Sequence, residues 1–269
     1  MRLSLLHATR FAAATASQAL ASPLGDPAPL FANLLAAATL LVISLIIIGL
    51  MWFDVRRSSE RVAIYLTFRA IWLFSKLWHG VRHRGSDPLP PTGPIILISN
   101  HTSPADPFFL QSATPRVISF MMAREYADIR GLQWLFRLGN TILVNRTGRD
   151  TAATKAAIRA LRAGAVVGIF PEGGIHLDAN TVGKAKPGAA MLALLTRVPV
   201  IPAFVDRPVH TNQLLQGVAS PASARVFFGR PIDLSGYHER GHDEALLREL
   251  SERLMAEIEK LRPPAARTN

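Results

Sequence analysis

The stretch Ile95–Leu110, "IILISNHTSPADPFFL", runs from an apolar segment through a polar turn into a second apolar segment. Ile95–Ser99 has the length and branched side chains of a buried strand. Downstream, Ile118–Met122 and Thr141–Val144 read as short strands, and so do Ala165–Phe170, Val198–Val205 and Arg225–Phe228. Between them fall helical patterns. Asp150–Ala163 has Asp150 or Thr151 near its start and Gly164 as a stop signal, and Pro187–Arg197 has Pro near its first position. His242–Leu261 is a charged amphipathic helix. This alternation predicts an α/β fold, with a mixed, largely parallel sheet flanked by helices.

Upstream, "GSDPLPPTGP" (Gly85–Pro94) is a Pro/Gly-rich break. It sets the expected folded domain at 87–263, with a short tail over 264–269. Phe31–Phe53 carries no charge, and only Asn33, Thr39 and Ser44 are polar. As a helix it reaches about 34 Å, enough to cross a hydrocarbon core of about 30 Å. An N-terminal transmembrane helix is therefore expected over 31–53, behind a tail over 1–30 whose acid-free first 22 residues have an open fate. Arg56, Arg57 and Arg61 follow the span, against Arg2, Arg10 and Asp26 before it. The positive-inside rule then predicts a single-pass membrane protein whose main domain faces the cytoplasm. Arg61–His83 interleaves Trp72, Trp78, Phe68 and Phe74 with Arg69, Lys76 and Arg82. Within 54–86 this predicts an amphipathic helix, either at the membrane interface or packed on its own domain.

Composition supports a lipid setting. The chain of 269 residues is 49% hydrophobic, and its 30 Lys+Arg against 19 Asp+Glu give a net charge of +11. Mean hydropathy is +0.22. Such a balance favours an anionic partner: nucleic acid, a lipid surface or a phosphorylated substrate. No basic recognition helix or aromatic RNA-binding signature is present, so an anionic membrane surface is expected and nucleic acid is not. Cysteine is absent, which excludes disulfides, thiolate catalysis and Cys-ligated metal.

At the end of the Ile95–Ser99 strand, His101 and Asp106 stand five positions apart. A helix starting near Pro104 brings Asp106 back towards His101, where its carboxylate can accept the Nδ1–H bond and leave Nε2 as a base. The alternative is a helix-capping Asp106 beside a loop histidine. No Gly-x-Ser-x-Gly occurs, so the hydroxyl to be activated belongs to a substrate. Three later blocks accompany the pair. "FPEGGIH" (Phe170–His176) sets Glu172 and Gly173 in a turn with exposed N–H groups, and "GNTILVNRTGRD" (Gly139–Asp150) sets Arg146 after a strand. "VPVIPAFV" (Val198–Val205) holds Pro202 inside a strand, which suggests an edge or a nearby ligand.

These four blocks resemble the glycerolipid acyltransferases typified by lysophosphatidate (1-acyl-glycerol-3-phosphate) acyltransferase, over about Pro94–Val205. The resemblance implies transfer of an acyl chain from acyl-CoA or acyl-carrier protein to a lysophospholipid hydroxyl in phospholipid biosynthesis. Neither a cofactor nor a metal is implied beyond that co-substrate. It makes His101 the general base and Asp106 its orienting partner. Arg146 and Glu172 with Gly173 would help bind the acceptor's glycerol-phosphate, and Pro202 would shape the acyl pocket. Backbone N–H groups near the helix after His101 would serve the developing oxyanion. One departure stands out. The family's Phe-Pro-Glu-Gly-Thr-Arg-Ser becomes Phe-Pro-Glu-Gly-Gly-Ile-His here, so Ile175 replaces the arginine assigned to the phosphate. Lys184 and Lys186 could supply that charge, or the acceptor is another lipid. A non-catalytic membrane scaffold is the rival from another class, and oligomeric state is left open.

Overall fold

In this computed structural model the described residues are 62–84, 89–129, 131–145, 150–178, 181–240 and 243–264. The span expected to cross a membrane, 31–53, and Arg146 lie outside them. Among the described residues no helix is long and apolar enough to cross a membrane.

The chain runs through α1 (Val62–Leu77), β1 (Arg82–Arg84), β2 (Ile95–Ser99), α2 (Asp106–Ser112), β3 (Ile118–Ala123), α3 (Gln133–Leu138) and β4 (Ile142–Val144). It continues through α4 (Thr151–Arg162), β5 (Val166–Ile169), α5 (Gly188–Thr196), β6 (Val200–Asp206), α6 (Leu214–Ala219), β7 (Arg225–Phe228) and α7 (Glu244–Lys260). The seven strands form one sheet in the order β1-β7-β6-β2-β5-β3-β4. Only β6 and β7 pair antiparallel; the other pairings are parallel. The mixed, largely parallel sheet expected from the alternation is thus present.

Strand β2 is apolar without alternation because both of its faces are covered. Ile96 and Ile98 join Val167, Ile169, Val200 and Phe204 in a core closed by α4, α5 and α7. Ile95 and Leu97 join Val166, Ile201, Ala203 and Val205 in a second core, closed by Phe109 and Leu110 of α2. The period-2 alternation of a strand therefore divides its residues between two cores. The result is a three-layer sandwich.

Two expectations are corrected. The amphipathic helix stops at Leu77, short of His83. Gly80 follows at φ +57°, a left-handed turn, and residues 82–84 then pair as β1 with β7. Trp78 Nε1–H, bonded to the Ala219 carbonyl at 2.9 Å, and buried His79, edge-on to Phe109 at 4.9 Å, fasten this end to the domain. Pro202, in turn, is not on a sheet edge. It is buried in β6, opposite Ile98 of β2, with β7 on the other side. Its carbonyl accepts the Gly229 N–H at 2.8 Å, on the side where the β7 ladder ends at Phe228. A missing donor there breaks no bond to β2, so the sheet tolerates the ring.

Neighbouring strands β2 and β5 send their following helices to opposite faces, α2 to one core and α5 to the other. A crevice opens between the two loops at the carboxyl ends of these strands, the usual place for a ligand in an open α/β sheet.

Candidate active site

His101 leaves the end of β2 and Glu172 the end of β5. Helix α2 begins at Asp106, with Pro107 rather than Pro104 in its first turn. Asp106 is fully buried. Its Oδ2 accepts three donors: Thr102 N–H at 2.7 Å, Ser103 N–H at 2.8 Å and His101 Nδ1 at 3.0 Å. The capping alternative does not hold: no side chain caps α2, and the oxygen that holds the imidazole closes the turn before the helix. A carboxylate can only accept, so Nδ1 carries the proton and Nε2 is left with its lone pair. The same bonds correct an expectation about the oxyanion. The N–H groups of Thr102 and Ser103 are spent on Asp106.

The imidazole is also held by its face. Phe170 stacks on it at 4.0 Å between centroids and 14° between planes, and Phe120 lies parallel to Phe170 at 5.7 Å. Gly168, opposite Phe120 in the ladder, makes this possible: a Cβ there would sit 2.5 Å from the Phe120 ring. Gly168 and Phe120 escaped the sequence reading, and Phe170 was read as a strand end and the start of the block after it, without a role of its own. A glycine inside an apolar strand was the available signal. Asn100 escaped it too. Its side chain bonds both the N–H (2.8 Å) and the carbonyl (3.0 Å) of Val205, extending the β2–β6 ladder by one residue.

Glu172 is 8% exposed. Its Oε1 accepts the main-chain N–H of His101 at 3.0 Å, and the His101 carbonyl accepts the His176 N–H at 2.7 Å. Burial pushes the Glu172 carboxyl up to about 7, against the opposing pull of the His101 N–H. Gly173 follows at φ +68°, with the Lys186 side chain across its Cα: a Cβ there would meet Lys186 Cδ at 2.5 Å. The Lys186 N–H bonds the Pro171 carbonyl at 2.8 Å.

A cavity of about 320 Å³ opens beside His101. Met121, Met122, Leu135 and Phe136 give it an apolar wall, and Lys186 is the only lysine or arginine lining it among the described residues. Ile175 lines it as well. Lys184, Glu172 and Pro202 do not, so the structure brings His101, Gly173 and Lys186 to one space, with Asp106 behind His101, and leaves those three outside its wall.

Known proteins resemble this chain in sequence and in fold. Residues 80–206 match the family model described as Acyltransferase. Over those residues the chain resembles the acyltransferase family. The domain resembles a probable 1-acyl-sn-glycerol-3-phosphate acyltransferase of Mycoplasma genitalium, 28% identical over 51% of this chain and 52% of that one. It also resembles the mouse 1-acyl-sn-glycerol-3-phosphate acyltransferase alpha, 30% identical over 54% of this chain and 52% of that one. The matched region spans about half the length of these curated relatives. In fold, the chain is like the 1-acyl-sn-glycerophosphate acyltransferase PlsC of Thermotoga maritima, with a TM-score of 0.58 and 24% identity over 86% of this chain and 96% of that one.

Proposed function

We propose that this protein transfers a fatty acyl chain from a thioester donor, acyl-CoA or acyl-carrier protein, to the hydroxyl of a lysophospholipid at a membrane surface. The observation that carries this reading is the His101 imidazole, held through Nδ1 by buried Asp106 at the wall of an apolar cavity. His101 Nε2 takes the proton of the acceptor hydroxyl as its oxygen attacks the thioester carbonyl carbon. The tetrahedral intermediate then expels the thiolate with cleavage of the C–S bond. The imidazolium returns its proton to that sulfur, leaving an ester and a free thiol. Asp106 stabilises the transient imidazolium. A positioned base of this kind contributes about 10²–10⁴-fold, and holding two lipid substrates together contributes further.

The oxyanion needs donors other than Thr102 and Ser103. The N–H groups of Gly174 and Ile175 make no hydrogen bond to another described residue, and both residues line the cavity. We assign them this role. The apolar wall suits the acyl chain. Lysophosphatidate is the acceptor favoured by the relatives' names, with Lys186 as the phosphate-binding cation; another lysolipid fits if that lysine serves a different headgroup.

The test is transfer of labelled acyl chains by wild type and His101→Ala across a panel of lysolipids. Wild type should acylate at least one acceptor, and His101→Ala should lose at least about 10²-fold. Equal rates in the two proteins would remove His101 from the mechanism. Inactivity of wild type on every acceptor would favour a scaffold that has kept the fold.

A further inference from the structure

We propose that Glu172 is a positioning residue that holds the His101 main chain from behind the cavity, and that it does not touch the acceptor. The proposal rests on the acyl-transfer reading and refines it.

Three observations support it. Oε1 is engaged by the His101 N–H, and with the His176 N–H on the His101 carbonyl this ties both peptide groups of the base to the loop after β5. Pro171, Gly173 and Gly174 line the cavity on either side of Glu172, and Glu172 itself does not. The second oxygen, Oε2, is buried and faces Gly183, where a Cβ would lie 2.7 Å from it. An acceptor hydroxyl or phosphate approaching from the cavity thus meets the Gly173–Lys186 surface and not this carboxylate.

The physical consequence is stiffness at the catalytic nitrogen. Asp106 fixes the ring through Nδ1 and Phe170 fixes its plane, but both act on the side chain. Glu172 fixes the backbone from which that side chain projects. Without it the His101 N–H is buried and unpaired, so the loop shifts to satisfy it. A displacement near 1 Å at a reacting group costs on the order of 10²-fold in rate.

The experiment compares wild type, Glu172→Gln, Glu172→Ala and Gly183→Ala as full-length proteins. Gly183 has an ordinary φ, so alanine fits the backbone there and its methyl group pushes the flexible end of Glu172 aside. In turnover, Glu172→Ala and Gly183→Ala should lower kcat by on the order of 10–100-fold while acceptor KM stays within about twofold. Glu172→Gln, which keeps an accepting oxygen, should recover most of kcat. A raised acceptor KM at unchanged kcat places Glu172 on the acceptor and overturns the proposal.

A second arm needs no turnover. Diethyl pyrocarbonate acylates free imidazole nitrogen, and peptide mass spectrometry reads its rate at His101 with exposed His210 as an internal standard. The His101 rate should change in Glu172→Ala and Gly183→Ala and stay near wild type in Glu172→Gln, with His210 constant throughout. An unchanged His101 rate in both disruptive variants overturns the assignment. This arm decides the matter even if no acyl transfer is found, and Gly183→Ala decides it if Glu172→Ala fails to fold.

Discussion

At Asp106 one carboxylate oxygen receives three donors. The backbone pair holds it in place, so the histidine meets an acceptor already fixed by the fold. Glu172 is held more sparsely, with one donor on Oε1 and Oε2 enclosed beside Gly183. Its carboxyl titrates near 4.5 when exposed and near 7 in the folded chain, because burial disfavours the charge. Between those values the folded protein keeps a proton that the unfolded chain releases. The stability from this group is therefore full below about pH 4.5 and lost as pH rises through about 7. Other carboxylates titrate as well, so the measurement is the difference in Tm between wild type and Glu172→Gln. That difference should turn against wild type across this window; a difference independent of pH contradicts the shift. The two lysines separate at the same scale. Lys186 lines the cavity and Lys184 does not. A charge-assisted hydrogen bond is worth about 1.5–3 kcal/mol, so Lys186→Ala should raise KM for a phosphate-bearing acceptor about tenfold or more. Lys184→Ala should leave it near wild type. Equal effects would place both lysines at the headgroup.

Among the described elements, α1 exposes the most large hydrophobic residues. It is fastened through Trp78 and His79, yet Leu66, Leu73 and Leu77 are exposed, Leu77 by 77%. Leu215 of α6 is 80% exposed, and neighbouring Leu214 lines the cavity with Phe68 and Ile71 of α1. A lipid surface would cover such residues at about 25 cal/mol per Å², and Arg69 and Lys76 would reach its headgroups. Charges at these positions test the idea. Leu73→Glu with Leu77→Glu should lower acyl transfer to a bilayer-presented lysolipid about tenfold, while Tm moves little because neither residue is buried. Full activity of that double variant on vesicles would assign the exposed face another purpose.

At the scale of the whole molecule, the strand order places two loops against each other across the β2–β5 boundary, and the cavity lies beside them. If the acyl chain occupies it as proposed, its volume sets what chain fits. Phe136→Ala removes a ring from the wall, so competition between donors of different length should shift towards longer chains by a few-fold, in keeping with about 0.8 kcal/mol per methylene. An unaltered preference would put the acyl chain elsewhere.

The strands Ile95–Ser99 and Arg225–Phe228 were legible residue for residue, because short apolar runs between turn signals have few other ways to be satisfied. The His101–Asp106 pair was legible as a candidate for the same local reason: five residues of chain, a proline and a helix start leave few geometries. Strand β1 and helices α3 and α6 were not, since each is short and takes its conformation from its neighbours. The sequence by itself determined the alternation, the two-faced core and the residue types at the strand ends, since these follow from periodicity and side-chain chemistry. Only the tertiary structure decided which groups meet. Glu172 reaches the His101 backbone across 71 positions of chain, Gly168 makes room for the rings beneath the imidazole, and Pro202 is carried away from the cavity into the sheet. Contacts of that range depend on strand order and register, which no local pattern encodes.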